Sequence, residues 1–234
     1  AGNCMTLENK YNRGTHGDSS LMLSTVVLSN ENQTCRGWEA HTSTDGGGCH
    51  DMIEWSKKGG YQGSTISFYD YNNGKVYEPF QKQRNVLYGT PIYLKKSFWF
   101  LQGDYNSGKI TLFKYYPDQI PEMITKLNIE DVDLYNLRII GEDVYIVSED
   151  DEFVSYYPES FRFSKGVNES VSMIADQKVY LSAWVEEGWD DENDCETEEY
   201  NYYEKVVERD FKGNLLSETL GSLQQHSNGT WWIA

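Results

Sequence analysis

Positive charge is what this sequence is short of. Its 20 lysines and arginines stand against 37 aspartates and glutamates, a formal net charge of −17. A nucleic-acid binder needs a basic footprint to displace counterions from phosphates, so DNA and RNA are excluded as partners. The same sign works against anionic membrane surfaces. Long apolar runs are also missing: no segment approaches the roughly 20 residues of a membrane-spanning helix. The start, AGNCMTLENK, has no basic stretch leading into an apolar one, so no signal peptide is expected in the chain as given. Nowhere does an apolar stripe recur at 3.6 residues with caps at its ends, which excludes a helical fold. P-loop, G-x-S-x-G and Ser/His/Asp signatures are absent as well.

What is present is a β vocabulary. Aromatic residues make up 15% of the chain, and short runs rich in β-branched and aromatic residues alternate with turn clusters. The stretch Leu134 to Phe163 shows the unit most clearly. Leu137 to Ile140, Val144 to Val147 and Phe153 to Tyr157 read as strands, separated by Gly141-Glu142-Asp143 and Glu149-Asp150-Asp151. That is an antiparallel meander.

Copies of the unit are found by using the hairpin turn and the aromatic after it as a ruler. Lys95-Lys96-Ser97 leads into Trp99, Gly141-Glu142-Asp143 into Tyr145, Asp176-Gln177-Lys178 into Tyr180, and Ser227-Asn228-Gly229 into Trp231. Spacings of a few tens of residues are the mark of repeat folds. Stepping back from Trp99 reaches Met52-Ile53-Glu54-Trp55, the expected central strand of a first copy. Outer hairpins follow, with strong turn signals at Asn72-Asn73-Gly74 and Lys212-Gly213-Asn214.

The resulting expectation is an all-β chain: a single domain over 1–234 forming a five-bladed β-propeller. Residues 1–19 form an irregular arm. Ser20 to Ser29 is expected to close the ring by pairing with the copy that ends at Ala234, which would remove an exposed edge. A β-sandwich is the competing all-β architecture. The repeats resemble those of secreted and cell-surface propellers. Ser43-Thr44-Asp45-Gly46-Gly47 also resembles the Asp-box turn of sialidase-type propellers, although no Thr-Trp follows the glycines.

The four cysteines, none in a C-x-x-C pair, read as a disulfide framework in an oxidising, extracellular or cell-envelope setting. The expected bridges are Cys35–Cys49, closing a short loop, and Cys4–Cys195, tying the arm to the acidic stretch 186–199. Four buried free thiols are the alternative.

Candidate sites come from three places. Residues 186–199 carry nine carboxylates in fourteen residues, and Asp190, Glu192, Asp194, Glu196 and Glu198 recur at every second position. On an extended backbone they would share one side and offer oxygen ligands to Ca²⁺; the competing reading is a solvated hairpin tip. Cys35, His41, Cys49 and His50 lack the paired spacing of a structural zinc site. The expected inner strands, WEAHT, TPIYL, NLRII, VSMIA and LQQHS, supply Trp38, Glu39, His41, Tyr93, Arg138, Gln224, Gln225 and His226 as a polar and aromatic mouth for a glycan or a peptide. Among them only Glu39 is acidic, whereas glycoside hydrolysis needs two carboxylates. A monomeric binding module is therefore the expected function, with a glycan-processing propeller enzyme as the alternative.

Overall fold

A computed structural model describes residues 22–28, 38–44, 50–141, 143–190, 192, 195–225 and 231–234. The chain divides after Leu134 into two compact units, Ala1–Leu134 and Tyr135–Ala234. The described residues form antiparallel β-sheets joined mostly by tight turns, with one short α-helix.

In the first unit, β1 (Met22–Leu28), β2 (Trp38–Thr44), β3 (Ile66–Asp70) and β4 (Lys75–Tyr77) form a meander in chain order. A second sheet contains β5 (Val86–Tyr88), β6 (Ile92–Leu94), β7 (Ser97–Asp104), β8 (Lys109–Tyr115) and β9 (Glu122–Asn128). There β5 and β6 pair with opposite ends of β7, so they act as one interrupted strand. The core holds Ile66, Phe68, Val86, Tyr88, Phe98, Phe100 and Tyr115, rimmed by Trp38, Tyr77, Phe80, Tyr93 and Phe113.

In the second unit, β10 (Arg138–Ile140), β11 (Tyr145–Glu149), β12 (Glu152–Tyr157) and β13 (Phe161–Ser164) realise the meander read from Leu134 to Phe163. The next sheet is β14 (Glu169–Ala175), β15 (Lys178–Asp190), β16 (Cys195–Arg209) and β17 (Leu215–Leu220), and a hairpin of β18 (Leu223–Gln225) and β19 (Trp231–Ile233) follows. Tyr145, Val147, Phe153, Val171, Ile174, Leu181 and Val207 form the buried layer, and Phe161 stacks on Phe211 with ring centroids 4.2 Å apart.

Three expectations are corrected here. Met52 to Trp55 is not a strand but the middle of α1 (Asp51–Lys57). Met52 is buried with Tyr61 and Leu87, and Trp55, on the same helix face, lies 5.7 Å from the Tyr61 ring. Glu54 and Lys58 add an i,i+4 ion pair at 2.8 Å. Second, the WEAHT segment lies on β2, between β1 and β3, and not at the inner end of its sheet. Third, the closing strand pairs locally: β1 runs against β2 from Met22 opposite Thr44 to Leu28 opposite Trp38, while β19 pairs with β18. A short connection costs less closure entropy than pairing with the far end of the chain.

The turns reuse one device. Asp70 accepts the Asn72 N–H at 2.9 Å, Asp104 the Asn106 N–H at 3.0 Å, and Asp210 the Lys212 N–H at 2.9 Å and the Asn214 N–H at 2.8 Å. A positive-φ glycine follows in each case: Gly74, Gly108 and Gly213. Burial by itself pushes the Asp104 carboxyl up, but bonds from Ser107 and Asn106 more than reverse this, and its pKa is net lowered. Asp210 is lowered chiefly by the Asn214 amide. A depressed folded pKa stabilises above the unfolded value, near 4, and that contribution is lost as pH falls through the folded value. Stability should therefore hold from pH 7 to about 5 and decline below about 4. Denaturant midpoints measured between those limits and pH 2 should show a shallower decline for Asp104→Asn combined with Asp210→Asn; an unchanged slope would refute this.

Candidate ligand-binding site

The strand ends of β10, β11 and β14 in the second unit enclose a polar cleft of about 510 Å³, lined by Asn136, Arg138, Glu149, Lys165, Glu169 and neighbouring residues. Strand register explains its chemistry. Arg138 stands opposite Val147, and Glu149 lies two residues beyond Val147, so both project from the face that buries Val147. Where the apolar layer ends, a charge pair takes over.

The side chains of that pair cover the edge of β14. Glu149 accepts the Val171 N–H at 2.9 Å, while Arg138 donates to the Val171 carbonyl at 3.0 Å. Both edge groups are thus satisfied without another strand. Arg138 Nη2 also lies 2.5 Å from Glu149, and Lys165 Nζ approaches the other Glu149 oxygen at 3.6 Å. Glu149 is buried, its side chain 8% exposed, and Lys165 is nearly so at 11%, whereas Arg138 is 33% exposed to the cleft.

Glu169 extends the network. Lys165 donates to its backbone carbonyl at 3.0 Å, and its carboxylate accepts the Gly166 N–H at 2.8 Å and an Arg209 N–H at 2.7 Å. Asn136 turns the chain into β10 with a φ of 51° and donates its amide to the Glu149 carbonyl at 3.0 Å. The result is a wall of fixed donors and acceptors with little apolar surface.

Of the expected mouth residues, Arg138 lines this cleft. Trp38 and Tyr93 belong to the first unit and are packing residues: Trp38 lies 5.7 Å from Tyr77 and 6.0 Å from Phe98, and Tyr93 meets Phe98 edge-on at 5.1 Å. Burial, followed by Tyr116, pushes the Tyr93 hydroxyl up. Gln224 is exposed on β18. The side chains of Glu39, His41 and Gln225, and all of His226, lie outside the described residues. Glu149, Lys165, Glu169 and Arg209 were missed. The usable signal was a glutamate in register with Tyr145 and Val147 on the core-facing side of the strand Tyr145 to Glu149.

The acidic stretch is also rearranged. Asp190 ends β15, and its carboxylate accepts the Glu192 N–H at 3.0 Å. The chain turns there, so Glu196 and Glu198 lie on the returning strand and the five alternating carboxylates do not share one side. Asp194 lies outside the described residues, among which no group of three metal-type side chains converges. Cys195 is a free, exposed thiol, and Cys4, Cys35 and Cys49, the other cysteines of the expected bridges, lie outside the described residues.

No protein-family model and no curated protein matches the chain.

Proposed function

We propose that this protein is a secreted or cell-surface binding module that recognises a glycan through the polar cleft of its second unit. The observation that carries this reading is the wall of Arg138, Glu149, Lys165, Glu169 and Asn136, whose donors and acceptors are held by buried ion pairs. Preorganised polar groups suit a hydroxyl-rich ligand. Val171 is the lone apolar side chain in the wall, which gives an apolar peptide side chain little to bury against.

Three four-stranded meanders, one five-stranded sheet and a terminal hairpin support reading the sheets as five blades of a β-propeller acting as a monomer. The extracellular assignment now rests on the proposed Cys35–Cys49 bridge. The second reading, a glycan hydrolase, draws on the presence of two carboxylates, Glu149 and Glu169, in one cleft. Each is engaged by a guanidinium, and placing the general acid's proton on Glu149 would forfeit its pairs with Arg138 and Lys165.

A glycan array run beside a hydrolase substrate panel tests both. The parent should retain a defined set of oligosaccharides, and Lys165→Met should weaken that binding at least about tenfold. Turnover of any panel substrate would transfer the assignment to the hydrolase, and an empty array would remove the glycan reading.

A further inference from the structure

The β15–β16 hairpin outruns its sheet. Strand β14 reaches as far as Glu169, opposite Ala183, and β17 as far as Leu220, opposite Lys205. From Trp184 and Glu204 outward, the hairpin is a two-stranded ribbon with no further strand on either edge among the described residues. Such ribbons are marginal in water unless one face finds cover.

This ribbon turns its aromatics to one face and leaves them uncovered. Trp184 is 46% exposed, Trp189 39% and Tyr202 53%. Trp184 stacks on Tyr202 with centroids 6.5 Å apart, and Trp189 meets Tyr200 edge-on at 6.1 Å. A bulge at Gly188, φ 73°, shifts the register between Glu187 and Trp189. Gly188 cannot carry a side chain there, since a Cβ would lie 2.6 Å from the Glu199 carbonyl oxygen.

The register then sets each exposed aromatic against a carboxylate. Trp184 faces Glu204, Tyr202 faces Glu186, and Trp189 faces Glu196. A ring face beside a carboxylate is the environment that holds a lysine or arginine head, by cation–π attraction and ion pairing together. The first two pairs are two residues apart along the strand, about 7 Å. That is the spacing of alternate side chains on an extended peptide. The sequence strengthens the complementarity: between Lys178 and Lys205 there are ten carboxylates and not one lysine or arginine.

We propose that this face docks an extended basic segment of a partner protein, with lysine or arginine at alternate positions seated over Trp184, Tyr202 and Trp189. Trp184, Tyr202 and Glu204 border a hollow that shares Glu169 and Ser170 with the wall of the cleft, but the inference uses none of the cleft's charge network and does not depend on the glycan reading.

The test uses a fluorescein-labelled peptide of four Arg-Ser repeats, followed by anisotropy and by tryptophan fluorescence at low and moderate salt. The parent should bind, with affinity falling as salt rises. Trp184→Ala combined with Tyr202→Ala keeps every charge and should weaken binding at least about tenfold. Glu186→Lys combined with Glu204→Lys should lose the Arg-Ser peptide. Unaltered circular dichroism would show that the variants fold. Equal binding by the aromatic variant and the parent would overturn the proposal, leaving only bulk attraction to an acidic protein. So would no binding by the parent at low salt, or capture of neutral oligosaccharides that Trp184→Ala abolishes.

Discussion

Replacing Glu149 by alanine should cost the second unit about 3–5 kcal/mol, the range for removing one partner of a buried ion pair. Three groups lose their partner at once. The Val171 N–H, bonded at 2.9 Å, becomes an unsatisfied edge donor; Arg138 and Lys165 lose their shared counter-charge. These consequences differ in size because exposure differs. Arg138, one third exposed, regains water readily, whereas Lys165, at 11%, keeps only the Glu169 carbonyl and the little water that reaches it from the cleft. Lys165→Met should therefore rescue part of the Glu149→Ala loss although it is harmful in the parent, a coupling that a double-mutant cycle reads directly. Glu149→Gln keeps an acceptor for Val171 and should fall between. Urea midpoints for the five proteins decide the matter: a Glu149→Ala loss under about 1 kcal/mol would mean that the network is solvated and not structural.

That network shows why the fold was more legible than the site. Gly141 and the run Glu149 to Asp151 announce their turns locally, and the residues between them are mostly β-branched and aromatic, so β10 to β13 could be drawn from the sequence. Glu149 itself looked like one more turn acid. Its role depends on Val171 and Lys165, which lie on other segments, and strand alternation does not say which segments become neighbours. Trp38 and Tyr93 show the converse. Their aromatic character was visible, but the cluster around Phe98 that absorbs them is a tertiary fact.

Local signals also misled where two periodicities competed. Met52-Ile53-Glu54-Trp55 sits at the repeat spacing of a strand, yet Met52 and Trp55 are equally well placed on one face of a helix, and burial against Tyr61 and Leu87 favoured the helix. The acidic stretch shows the reverse. Asp190 ends one strand of a hairpin and Glu196 and Glu198 lie on the other, because the chain turns at Glu192, whose N–H the Asp190 carboxylate accepts.

Phe68→Ala should cost the first unit about 3–5 kcal/mol. Phe68 has no exposed surface, and its ring lies 4.6 Å from Phe98, 4.9 Å from Tyr115 and 5.8 Å from Phe100. Those neighbours come from β7 and β8, while Phe68 sits on β3, so its ring joins two sheets that share no strand pairing. Truncation removes the transfer energy of the ring and leaves a cavity bounded by rigid aromatics on strands fixed by their ladders, which restricts collapse. Phe68→Leu retains much of the volume and should lose clearly less. Tyr71→Ala serves as the control: three residues on and 56% exposed, it should stay within about 0.5 kcal/mol of the parent. If chemical denaturation placed Phe68→Ala as close to the parent as Tyr71→Ala, the aromatic cluster could not be the element that holds the two sheets of this unit together.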